Sequence, residues 1–133
     1  MEKTAKIYVA GHHGLVGSAI WNNLQKKGYT NLVGCSHKEL DLLDGVAVKT
    51  FFDREQPEYV ILAAAHVGGI MANSLYRADF IYQNLQNQQN VIGESFRHGV
   101  KKLLFLGSTC IYPRDAEQPM KEKCVADFSV GIY

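Results

Sequence analysis

The sequence predicts an α/β fold with a parallel sheet, and three observations carry that expectation. Short apolar runs of β character alternate along the 133 residues with longer stretches of helical periodicity. The runs are apolar almost throughout, as strands covered on both faces are, rather than alternately polar and apolar. A glycine-spaced turn joins the first run to the first helical stretch.

Lys6 to Ala10 reads as a buried strand. From Leu15 onward, Val16, Ala19, Ile20 and Leu24 recur at helical spacing, and Gly28 stands where a C-terminal cap falls. Asn31 to Ser36 is a second strand. Asp44 caps a second helix with Val48, Phe51 and Phe52 on one side, and Pro57 closes it. "YVILAAA", Tyr59 to Ala65, is a third strand with almost no polar side-chain atoms. After a glycine loop, Asn73 to His98 reads as one long helix of roughly 39 Å. "KKLLFLGS", Lys101 to Ser108, is the fourth strand, and the stretch containing Pro113 and Pro119 is loop-like. Right-handed crossovers then give three layers, αβα, and a strand order of 3-2-1-4, the first half of a doubly wound, Rossmann-like sheet. Residues 1–122 form this partial domain and 123–133 an atypical tail. Without further strands the fourth strand would be a bare edge with an uncovered apolar face.

The composition narrows the function classes. Nearly half the residues are apolar, a fifth are charged and the formal net charge is only +1, so a globular core is expected and nothing invites nucleic acid or a membrane surface. No apolar run is long enough to span a bilayer, and "MEKTAKIYVAG" is too charged ahead of its strand for a secretory signal. Three cysteines, Cys35, Cys110 and Cys124, are odd in number and lack metal-like spacing, which points to a reducing, cytoplasmic compartment and no metal.

The chemistry begins at "VAGHHGLVGSAI". Glycines at Gly11, Gly14 and Gly17 give G-x-x-G-x-x-G between a strand and a helix. Gly11 permits a tight turn, Gly14 lets main chain approach a diphosphate, and Gly17 lets the helix lie close on the strand. Gly11, His12, His13, Gly14, Leu15, Val16 and Gly17 are therefore the candidate cradle, with the helix N-terminus supplying N–H groups to phosphate. The competing reading is an ordinary strand-turn-helix corner. About twenty residues on, a carboxylate would select NAD by accepting from the ribose 2′-OH. His37 and Lys38 stand there instead, and with Ser36 they would hold a 2′-phosphate, which favours NADP although Glu39 counts against it. A solvated turn with basic residues is the alternative. In "ELDLLD", Asp41, with Leu42 beside it, is placed to meet the adenine, or is an exposed loop carboxylate.

Three segments, "VAGHHGLVGSAI", "LAAAHVGGIMAN" and "LFLGSTCIYPRDAEQPM", resemble the GDP-L-fucose synthases of the extended short-chain dehydrogenase/reductase superfamily, over about Lys6 to Lys121. The resemblance implies NADP(H)-dependent conversion of GDP-4-keto-6-deoxy-D-mannose to GDP-L-fucose, an isomerase step at the two carbons flanking the ketone followed by reduction. It places Cys110 as a proton-transfer group and Ser108 as a hydroxyl donor to the ketone oxygen. A thiol suits the task because its ordinary pKa, about 8.5, is near operating pH. On the residues alone Cys110 would be a small buried hydrophobe at a strand end. The resemblance also implies that Leu106, Gly107, Ser108 and Thr109 line the nicotinamide side. Ala63, Ala64 and Ala65 would let cofactor lie against main chain, and Asn84 would order the site from behind. It implies a homodimer through the long helix. Histidines at 13 and 37 replace arginines frequent in the family, which weakens the NADP preference and shifts it toward Lys38. The superfamily's Tyr-x-x-x-Lys pair is absent from the 133 residues, Tyr133 being last, so the chain reads as an N-terminal piece. The alternative function is a non-catalytic NADP(H)-binding module.

Overall fold

The computed structural model describes residues 1–108, 111–113 and 116–125. Four parallel strands, β1 (Ile7–Ala10), β2 (Leu32–Val33), β3 (Tyr59–Leu62) and β4 (Lys102–Phe105), alternate with helices α1 (Leu15–Lys26), α2 (Gly45–Glu55), α3 (Ile70–Leu75) and α4 (Arg77–Arg97). Helices cover both faces. Leu24, Ile20 and Trp21 of α1 pack on Ile7 and Val9. Val48, Phe51 and Phe52 of α2 and Val91 of α4 pack on Tyr8, Val60 and Leu62 from the other side. The three-layer, Rossmann-like α/β architecture expected from the sequence is the one observed.

The strand order is a correction. It runs β2-β1-β3-β4, not 3-2-1-4. Ile7 pairs with Leu32 on one side and Tyr59 on the other, and Tyr59 pairs in turn with Lys102. The physical reason lies in β3. Val60 and Leu62 are 1% exposed, so this apolar run needs a neighbour on each edge and a cover on each face. The short, half-buried β2 takes the outer place instead. Since β2 is added on one side of β1, and β3 and β4 on the other, right-handed crossovers put α1 on one face and α2 with α4 on the other.

Two local differences from the expected elements also have causes. The long helix breaks at Tyr76, whose backbone lies at φ −115° and ψ 42°. Its N–H closes α3 on Ala72 O at 2.9 Å while its carbonyl accepts from Phe80 N at 3.0 Å to open α4, so a break occurs without glycine or proline. On α1, Val16 is exposed and the inward line is Gly17, Ile20, Trp21 and Leu24. Gly28 does cap α1, at φ +78°. Its N–H reaches Gln25 O and that of Tyr29 reaches Leu24 O, a Schellman closure with Tyr29 packed in the same cluster as Leu24. Asp44 caps α2 as expected, its carboxylate accepting from Val46 and Ala47 N–H at 2.9 and 3.1 Å.

β4 is the last strand among the described residues. Its Leu104 and Phe105 are 48% and 42% exposed. At the far end of the molecule a polar cluster ties α2 to α4. His98 Nε2 lies 2.9 Å from Asp53 Oδ1, Lys49 Nζ is 2.5 Å from Asp53 Oδ2, and Glu94 pairs with Arg97. The second oxygen of the buried Glu94 is 3.4 Å from His98 Nδ1 but makes no hydrogen bond, because that nitrogen is engaged by Glu94 O at 2.9 Å. The hydrogen bond to Asp53 raises the His98 pKa above its ordinary value despite burial. His98 thus contributes stability fully below the unfolded pKa of about 6.5, and that contribution fades as pH rises through the higher folded value. The urea midpoint of wild type should exceed that of His98→Gln by more at about pH 5.5 than at about pH 8.5.

Candidate functional site

The strand order reverses between β1 and β3, and this opens a crevice beyond their C-terminal ends. A cleft of about 600 Å³ occupies it, walled by the turn after β1, by His37 and Asp41 to Leu43 beyond β2, by Ala63 to His66 beyond β3, and by Gln83 and Asn87 of α4. The turn is made by main chain approaching main chain. Gly11 sits at φ +85°, and a Cβ on it would lie 2.9 Å from Ala64 Cα. A Cβ on Gly17 would lie 2.0 Å from Gly11 O. Gly14 N–H closes the turn on Gly11 O at 2.9 Å. No side chain caps α1 at Gly14, which leaves its first-turn N–H groups and the positive end of its dipole to a ligand. Such a cradle, which side chains would fill, fits a diphosphate. Leu15 and Val16, both exposed, belong to that first turn.

The β2 side carries the imidazoles. The His12 ring is sandwiched between His13, at 3.9 Å between centroids, and Trp21, at 5.0 Å. It also lies on Gly34, where a Cβ would meet its Nδ1 at 2.6 Å. That Nδ1 is buried without a hydrogen bond, and burial followed by the His13 charge lowers the His12 pKa. His13, His37 and Lys38 are exposed or half-exposed around the same rim. Glu39 folds back on the turn. One of its oxygens accepts from Ser36 N–H at 2.8 Å and Ser36 Oγ at 2.7 Å, and these bonds hold its carboxyl below the usual range. The Ser36 hydroxyl is thereby committed to Glu39. Asp41 Oδ1 accepts from Leu43 N–H at 3.0 Å and lies 3.7 Å from His37 Nδ1.

On the other side, the strands end before their apolar runs do. Ala63 N–H still reaches Ala10 O at 3.0 Å, after which Ala64, Ala65 and His66 leave the ladder along the cleft. Asn84 fixes this exit. Its Oδ1 accepts from His66 N–H at 2.8 Å and its Nδ2 donates to His66 O at 2.9 Å, so the side chain is turned to the loop's main chain. The His66 ring rests 4.4 Å from that of Phe80. Leu106 N–H bonds to Leu62 O at 3.2 Å, and Gly107 and Ser108 continue outward, exposed, from the end of β4. Thr109 and Cys110 lie outside the described residues. Among the described residues no cluster of His, Cys, Asp or Glu could hold a metal ion.

Comparison with known proteins decides the lineage. Residues 7–129 match the NAD dependent epimerase/dehydratase family. The chain belongs to that family. It is similar to GDP-L-fucose synthase 1 of Arabidopsis thaliana, with 60% identity over 97% of this chain and 40% of that protein. It is also similar to GDP-L-fucose synthase of Escherichia coli (strain K12), with 52% identity over 88% of this chain and 36% of the relative. Among solved structures, the GDP-mannoheptose C4 reductase MlghC of Campylobacter jejuni, with NADP bound, superposes with a TM-score of 0.89 at 50% identity, covering 94% of this chain and 40% of that one. The chain thus spans about two fifths of the length of the relatives it matches.

Within this epimerase/dehydratase chain, the structure adds wall residues that sequence reasoning missed. Gln83 and Asn87 stand one helical turn apart on α4, and the Asn87 Oδ1 is buried with no hydrogen bond. Asn90, one turn further, reaches across to Leu42 and Leu43. Their signal was an amide-rich run, "QNLQNQQN", at helical spacing. Tyr8 and Cys35 also line the cleft, and burial pushes both pKa values up. The glycine turn separates packing from binding. Gly17→Ala drives a methyl into Gly11 O and should cost about 1–3 kcal/mol in stability. Gly14→Ala meets only Gly11 O at 3.3 Å and should leave the melting temperature nearly unchanged while weakening dinucleotide binding. Thermal denaturation beside calorimetric titration checks the pair.

Proposed function

We propose that this chain is the coenzyme-binding part of an NADP(H)-dependent epimerase/reductase that converts GDP-4-keto-6-deoxy-D-mannose to GDP-L-fucose. The observation that carries the reading is the Cβ-free cradle of Gly11, Gly14 and Gly17 against the uncapped start of α1. Those N–H groups would hold the diphosphate of NADP(H), and His13, His37 and Lys38 would hold the 2′-phosphate. Ala63 to Ala65 would let the cofactor lie against main chain, and Leu106 to Ser108, with Thr109 by the family resemblance, would line the nicotinamide side. Bound NADPH supplies the hydride that reduces the sugar ketone. Ser108 donates to the ketone oxygen, which makes the neighbouring C–H groups acidic, and Cys110 moves a proton at one of the inverted carbons. A cytoplasmic location belongs to this reading on the three cysteines, odd in number and without metal-like spacing, which fit a reducing compartment. No described helix is long and apolar enough to cross a membrane.

A second reading shares the site. The likeness to MlghC, named as acting on a GDP-mannoheptose, admits a GDP-linked 4-keto heptose in place of the deoxyhexose. Offering the complete protein each GDP-4-keto sugar with NADPH, and following nicotinamide absorbance and the sugar product, separates the two. Turnover of the deoxyhexose to GDP-L-fucose is the expected result, and NADPH left intact with both sugars defeats the proposal. Lys38→Ala should weaken NADPH binding about tenfold and leave NADH nearly unchanged.

The reading includes pairing of two copies through α4. Its Ile81, Leu85, Ile92 and Phe96 are exposed by 62%, 50%, 42% and 87%, more apolar surface than a solitary helix face tolerates. Light scattering of the complete protein should give twice the protomer mass, reduced toward one by Leu85→Glu.

A further inference from the structure

We propose that Asn90 is a positioning residue for the adenosine end of the dinucleotide, acting through the Leu42–Leu43 main chain. The inference rests on the reading above that the cleft takes a nicotinamide dinucleotide. Asn90 is half-buried on α4. Its Nδ2 donates to Leu42 O at 2.7 Å and to Leu43 O at 3.3 Å, across 48 and 47 residues of sequence. Gln86 Nε2 donates to Asn90 Oδ1 at 3.0 Å, which decides which end of the amide faces the two carbonyls. Gly45 completes the seat, because a Cβ there would come within 3.2 Å of Asn90 Oδ1.

Leu42 and Leu43 line the cleft on the β2 side, whereas Asn90 does not. The segment has its own turn, with Leu43 N–H on Asp41 Oδ1 and Asp44 N–H on Asp41 O. That turn sets local shape but not the distance of the wall from α4. β2 ended at Val33, so its ladder does not hold the stretch in place. Leu40 and Leu42 pack on the core, and the Asn90 amide adds the directional hydrogen-bonded tie from α4 to this main chain. A slot for a flat base depends on where its wall stands, and small misplacements are costly in such sites. On the reading above the nicotinamide half would meet Ala63 to Ala65 and Ser108, none of which Asn90 hydrogen-bonds.

The test titrates two halves of the coenzyme separately, 2′,5′-ADP and reduced nicotinamide mononucleotide, into the complete protein and its Asn90→Ala and Gln86→Ala variants. Asn90→Ala should weaken 2′,5′-ADP about tenfold while the nicotinamide half changes by less than about twofold. Gln86→Ala, which frees the amide to turn without touching either carbonyl, should act in the same direction and less strongly. Unchanged 2′,5′-ADP binding in Asn90→Ala, or equal weakening of both halves, overturns the proposal. Should Asn90→Ala not fold, Gln86→Ala decides by the same two criteria. If the unsubstituted protein binds neither half, the dinucleotide reading fails and this inference with it; a failure confined to the variants leaves that reading standing.

Discussion

The structure depends on main chain touching main chain where no side chain intervenes. α1 can lie on the turn after β1 only because Gly17 presents no Cβ to Gly11 O, and β3 can lie beside that turn only because Gly11 presents none to Ala64. Those two approaches place the first-turn amides of α1 at the head of the sheet and bring the alanine exit of β3 alongside. Extra atoms at either contact would separate helix from strand or strand from strand, and the crevice would lose its floor.

The second layer of the design is a rod with amide arms. α4 holds the exit of β3 through Asn84 and the segment after β2 through Asn90, on consecutive stretches of one helix. A helix is stiff over this length, so the spacing between the two walls is set by its rise per residue rather than by either loop. On the β2 side of the rim, Glu39 is kept ionised by the two hydrogen bonds it accepts from Ser36.

Much of this was legible in the sequence, for identifiable reasons. Apolar runs announced β1, β3 and β4, the glycine spacing announced the tight turn into α1, and Asp44 and Gly28 announced the helix ends that they cap, because each effect acts within a few residues. Strand order was not legible. A run buried on both faces states that it has neighbours and says nothing of which, so the place of β3 beside β1 emerged only in three dimensions. The break at Tyr76 escaped for a related reason: two well-bonded helix ends can share one residue of ordinary type. Asn90 was hidden most completely, since its partners are nearly fifty residues away and an amide on a helix reads the same whether it meets water or a distant carbonyl. Ser108 follows β4, and Cys110 stands beyond the described residues.

The contact of Gly11 with Ala64 has a bearing on how the molecule is made. During synthesis from the N-terminus, the first strand, turn and helix emerge long before the segment that must press against them. The cradle therefore cannot lock locally. It waits for β3, and the base-side wall waits longer, until α4 arrives with Asn90. Sequence separation of this size slows closure, and the unpaired apolar edges stay exposed meanwhile. The nascent chain is thus most in need of protection from chaperones in the interval between the emergence of β1 and the docking of α4.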